Sequence, residues 1–67
     1  MSGEMRLKLV EWRRARGITQ DEMAKQLNIS KPTYVRWEKK PQSISMCNAL
    51  IIADIFETDL SSIIFLP

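Results

Sequence analysis

Apolar residues recur along this chain at helical spacing, and a stop signal closes each run after roughly ten to fifteen residues. No strand-like alternation is visible, so every element is expected to be a helix. Met5, Leu9 and Trp12 fall on one stripe and predict a first helix from about Glu4 to Arg16. Gly17 follows where a left-handed backbone costs glycine nothing. Arg13, Arg14 and Arg16 put cations in the last turn, where the helix dipole favours them. Leu7 and Val10 lie off the stripe and have no partner in the pattern.

The next start is a Thr-x-x-Glu capping box, Thr19 with Glu22, so a second helix begins at Gln20. Met23, Ala24 and Leu27 form its short inward face, and Asn28, which tolerates left-handed backbone, ends it. Ser30 caps a third helix after only Asn28 and Ile29. Pro32 sits in its first turn, where a missing N–H does no harm, and Pro41 forbids continuation past Lys39 or Lys40. Residues 41–45 read as a loop. Ser45 caps a fourth helix carrying Met46, Ala49, Leu50, Ile52, Ala53 and Phe56, and Asp59 caps a short fifth reaching about Ile64. The expected architecture is all-α: one compact five-helix domain over residues 1–67.

Composition narrows this picture. A chain of 67 residues supports one modest core, near the lower limit for unaided folding. Trp12, Trp37, Phe56 and the Leu, Ile and Met side chains must supply it. Charge is unevenly spread. All ten Lys and Arg lie in residues 1–40 against five acids, whereas residues 41–67 carry only Asp54, Glu57 and Asp59. Such a split suits one face meeting a polyanion. The single Cys47 cannot form an internal disulfide, and it reads as a small buried or semi-exposed residue. The N-terminus shows no export signal and no run spans a bilayer, so a cytoplasmic protein is expected. Enzymatic readings fail on inventory: no His, no glycine-rich phosphate loop, no metal-ligand cluster and no base near Cys47 in sequence. No cofactor or metal is expected.

Two short helices joined by about three residues, with a small Ala24 on the inner face of the first, make a tight corner. Ile29 and Tyr34 or Trp37 close it from the other side. A second helix held this way projects the outer residues of its N-terminal part into open space. The stretch from Trp12 to Ala24, then Leu27-Asn28-Ile29-Ser30 and Arg36-Trp37-Glu38, closely resembles the lambdoid repressor and Cro family of helix-turn-helix proteins (XRE-like). The likeness continues through Ile52-Ala53-Asp54-Ile55-Phe56 and Asp59-Leu60-Ser61-Ser62-Ile63, nearly the whole chain.

The resemblance implies a double-stranded DNA-binding transcriptional regulator of phage or bacterial type that inserts its third helix in the major groove of a palindromic operator. Lys31, Pro32 and Arg36 occupy positions that face base edges in that family. Arg36 can fork onto a guanine, Lys31 can do the same or reach a phosphate, and Pro32 offers only apolar contact. Gln20 is similar to the family residue that holds a backbone phosphate. Thr33, Tyr34, Lys39 and Lys40 are further phosphate candidates. Arg13 and Glu38 match a structural salt bridge tying helix one to the end of helix three.

This chain departs from the family at three places. Asn28 replaces the usual turn Gly, and Lys39-Lys40-Pro41 replaces the customary Asn-Gly. Tyr34 stands where an aliphatic residue is common, so its hydroxyl is expected to reach solvent or a phosphate. The tail Ile63-Ile64-Phe65-Leu66-Pro67 either folds back onto the core or forms a self-association patch; a weak homodimer is the favoured reading. An antirepressor or antitoxin-type module on the same fold, binding a repressor or a toxin, is the competing function.

Overall fold

The computed structural model describes residues 6–66. It contains four α-helices, α1 (Leu9–Ala15), α2 (Gln20–Leu27), α3 (Lys31–Lys39) and α4 (Met46–Ile55), flanked by two short strands, β1 (Leu7–Lys8) and β2 (Ile63–Ile64). Single 3-10 turns occupy Pro41–Ser43 and Leu60–Ser62. No helix among the described residues is long and apolar enough to cross a membrane.

The caps explain where the helices start. Thr19 Oγ1 accepts the Glu22 amide at 3.1 Å while Glu22 Oε1 accepts the Thr19 amide at 2.8 Å, a reciprocal box that anchors α2. Ser30 and Ser45 accept from Thr33 and Asn48 in the same manner. Left-handed residues end the turns. Asn28 (φ 58°) closes α2, and its neighbour Ile29 donates back to the Ala24 carbonyl at 3.0 Å. Gly17 (φ 69°) reverses the chain after α1; a Cβ there would meet nothing, so the backbone angle alone selects glycine.

Three expectations are corrected. The first helix begins at Leu9, not near Glu4: Lys8 is extended, with its amide held by the Glu11 carboxylate at 2.8 Å. Glu4 and Met5 lie outside the described residues, and so does Pro67. The fifth helix is absent; Asp59 precedes one 3-10 turn, and the chain then runs into β2. Strands exist after all, because β1 and β2 pair in parallel, Leu7 with Ile63 and Lys8 with Ile64. This pairing explains Leu7, which no helical stripe accommodates. Pairing with a segment so distant in sequence pulls both ends out of helical geometry.

The core gathers Leu9, Met23, Ala24, Leu27, Tyr34, Trp37, Ile52, Ala53, Phe56 and Ile63. Trp12 is half-buried at its margin. Its ring stacks on Phe56 with centroids 6.3 Å apart, and its Nε1 donates to the Ser62 carbonyl at 2.9 Å. One side chain therefore fastens α1 to the end of α4 and to the turn before β2. The tail is divided: Ile63 is buried, Ile64 and Phe65 are half-buried, and Leu66 is exposed. Ile63 is thus core and leaves the candidate dimer patch. Exposed apolar area lies instead on α4, at Met46, Leu50 and Ile51, with Cys47 exposed beside them rather than buried.

Candidate functional site

The corner between α2 and α3 positions the candidate interface. Ala24, 3 % exposed, lets the helices approach, and buried Tyr34 and Trp37 anchor the inner side of α3. Inner residues fix which residues face out. Lys31, Pro32, Arg36 and Lys39 are exposed on α3, and Lys40 is exposed at its C-cap. From Ser30 to Trp37 this face carries no acid. Thr33 is half-buried and exchanges a hydroxyl hydrogen bond of 2.8 Å with Ser30, so its hydroxyl is engaged in the cap.

Behind the face, an ion pair ties three helices together. Arg13 Nε on α1 donates to Glu38 Oε2 near the end of α3, with side chains only 11 % and 8 % exposed. Arg13 Nη1 also donates to the Ile18 carbonyl at 2.9 Å, holding the turn before α2. Gln20 Nε2 donates to the second carboxylate oxygen of Glu38 at 2.9 Å. The side chain of Gln20 is therefore committed inward, and what α2 offers an anion at this end is backbone N–H and helix dipole. Burial alone would push the Glu38 carboxyl up. Hydrogen bonds from Arg13 and Gln20, the facing Tyr34 hydroxyl and the Arg13 charge outweigh burial and hold it below the usual carboxylate range. The same hydrogen bond, against the opposing effect of burial, raises Arg13.

Tyr34 corrects the sequence expectation. Its residue is 0 % exposed, so the hydroxyl reaches neither solvent nor a phosphate, and Tyr34 leaves the phosphate set. The hydroxyl sits near enough to Glu38 and Arg13 to feel both, and burial first, then Glu38, raises it far above the ordinary tyrosine value. It nonetheless meets no partner with hydrogen-bonding geometry. A hydroxyl so placed stabilises little. Tyr34→Phe is expected to change the unfolding free energy by less than about 1 kcal/mol in a urea titration, because it deletes a group that has no partner to lose. A loss of about 2 kcal/mol or more would show instead that the hydroxyl hydrogen-bonds Glu38 in solution.

Two residues of the interface escaped the sequence reading. An open depression runs between the turn before α2 and the start of α3, lined by Arg13, Arg14, Thr19, Gln20, Asp21 and Lys31. Arg14 adds an exposed cation there. Asp21, in the first turn of α2, approaches Lys31 Nζ at 3.6 Å. The signal was present in principle, because a tight helix-turn-helix corner brings the two helix starts together. Reading each helix alone concealed it. Arg16 is turned away onto the Trp12 ring, its guanidinium carbon 5.5 Å from the centroid. Among the described residues no group of three or more His, Cys, Asp or Glu could hold a metal ion.

Comparison with known proteins agrees with this geometry. Residues 9–63 match the family model described as Helix-turn-helix, from the start of α1 to the first residue of β2. No curated protein and no solved structure matches the chain.

Proposed function

The chain belongs to the Cro/C1-type helix-turn-helix family, DNA-binding domains of transcription regulators, and from that premise we propose that it is a sequence-specific repressor of the Cro kind, reading a palindromic operator in the cytoplasm as a weak homodimer. The observation that carries this reading is the acid-free outer face of α3, where Lys31, Pro32 and Arg36 are exposed together. Arg36 supplies the bidentate fork for a guanine, and Pro32 offers apolar contact of the kind a thymine methyl accepts. Lys39 and Lys40 neutralise phosphates at one end of the helix. At the other end the first-turn amides of α2 donate to a phosphate and Arg14 neutralises it. Gln20 then acts by orienting α2 through Glu38 rather than by gripping a phosphate with its side chain. Self-association is supported by four exposed large apolar side chains, Met46, Leu50, Ile51 and Leu66.

The test is binding to random duplex DNA across a salt series, followed by selection of preferred sites. A steep fall of affinity with salt and a selected palindrome are expected. Arg36→Ala should weaken binding to the selected site by about 1–3 kcal/mol and relax preference at one base pair per half-site. Weak binding to every duplex at low salt would sink the reading. The competing proposal, a protein-binding module that docks a repressor or a toxin, would then be tested by pull-down with such partners.

A further inference from the structure

We infer that Asp21 is a specificity-determining positioning residue: it holds Lys31 for a base edge and keeps that ammonium from serving as a general phosphate clamp. The inference rests on the DNA-binding reading and goes beyond it by giving a role to the one acid in the depression.

The depression collects Arg13, Arg14 and Lys31, and Asp21 is the only carboxylate lining it. Arg13 is committed to Glu38, so Arg14 and Lys31 are the cations left to meet DNA. Lys31 opens α3, Asp21 stands in the first turn of α2, and Nζ to Oδ1 is 3.6 Å. An ammonium on a four-carbon stem otherwise sweeps a wide arc and takes whichever phosphate is nearest. It has three donors. At 3.6 Å the ammonium is in ion-pair reach of Asp21 without a hydrogen bond, which leaves its donors free for an acceptor in the groove. Asp21 thus shortens the arc of Lys31 and competes with phosphates for its ammonium. Its own charge also repels a phosphate drawn to the α2 N-terminus, a cost felt on any duplex. A matched base edge rewards the held lysine; a random sequence does not.

Both side chains are more than half exposed, so the pair itself is weak. The effect is correspondingly modest and is read best in a ratio. Affinity for the duplex recovered by selection and for a random duplex of equal length is measured against salt for the full chain and for Asp21→Asn. The substitution should raise affinity for the random duplex and steepen its log–log salt slope by about 0.9, one added phosphate contact. The selected-to-random ratio should fall roughly three- to fivefold, the size of an exposed ion pair. Asp54→Asn, the same change of charge on α4 away from the depression, should alter neither the ratio nor the slope. With Lys31→Ala already present, Asp21→Asn should no longer steepen the slope.

An unchanged ratio and slope in Asp21→Asn would overturn the inference while leaving the DNA reading intact. Equal effects of Asp21→Asn and Asp54→Asn, or an undiminished effect without Lys31, would overturn it too, reducing Asp21 to overall charge. If the unaltered chain binds no duplex, both readings fall together. Thermal unfolding of each variant separates these outcomes from lost stability, since a merely structural role at the helix start would move the melting temperature without moving the salt slope.

Discussion

Phe56→Ala is expected to leave most of the protein unfolded at room temperature, a loss of about 3–5 kcal/mol. The size follows from position. Phe56 is fully buried, among the largest such side chains in the molecule, and it caps the C-terminal end of α4. Its ring stacks on Trp12, whose indole N–H holds the Ser62 carbonyl, so truncation opens a cavity where α1, α4 and the turn before β2 converge. Ile63 is held in register by its pairing with Leu7 and cannot close onto the gap without disturbing β2. A core this small supplies only about 3–5 kcal/mol of net stability, so one such cavity consumes nearly all of it. Far-ultraviolet circular dichroism through a urea titration measures the effect. A loss below about 1 kcal/mol would mean that the core repacks freely around the truncated side chain.

Glu38→Ala should be the second most damaging change, costing about 3 kcal/mol, the lower end of what breaking a buried pair costs. The pair is not completely enclosed, which is why the lower end applies. Removing Glu38 strands the Arg13 guanidinium, frees the Gln20 amide and leaves the Tyr34 hydroxyl beside an unbalanced cation. Replacing both partners, Arg13→Met with Glu38→Leu, should recover most of the loss, because neither charge is then left without the other. If the double variant is no better than Glu38→Ala, hydrogen bonds to Ile18 and Gln20 matter more than the stranded charge.

The same carboxylate sets an acid limb. Its folded-state value lies below its unfolded value, so folding gains from the ionised form. That contribution is fully present above the unfolded value of about 4.3 and is lost as pH falls through the lower folded value. Unfolding titrations from pH 7 downward should show stability declining below that range, and Glu38→Gln should flatten the decline while lowering the plateau. An identical acid limb in Glu38→Gln would assign the titration to other carboxylates.

How legible the molecule was depended on the range of each interaction. The boundaries of α2 and α3 and the start of α4 followed from Thr19, Asn28, Ser30, Pro41 and Ser45, because a cap or a breaker acts within one turn of itself. The exposure of Lys31, Pro32 and Arg36 was legible for the same reason: on a helix, fixing the inward residues fixes the outward ones. Tyr34 was misread because the hydroxyl suggested a route to solvent, whereas the inner position on α3 overrode the chemistry of the tip. The start of α1 and the supposed fifth helix were misread because apolar spacing alone does not distinguish a short paired strand from a helical turn.

The sequence by itself determined the helical corner, its polarity and the basic face of α3, all products of contacts between residues a few positions apart. Only the tertiary structure decided the rest. The β1–β2 pairing, the Trp12–Ser62 bond between residues 50 positions apart, the enclosure of Tyr34 and the meeting of Asp21 with Lys31 depend on how separate elements pack. Short-range hydrogen bonding is encoded in neighbours along the chain. The choice between helix and strand at the two ends is settled by a pairing that buries Ile63 and half-buries Leu7, and that choice exists only once the core has formed.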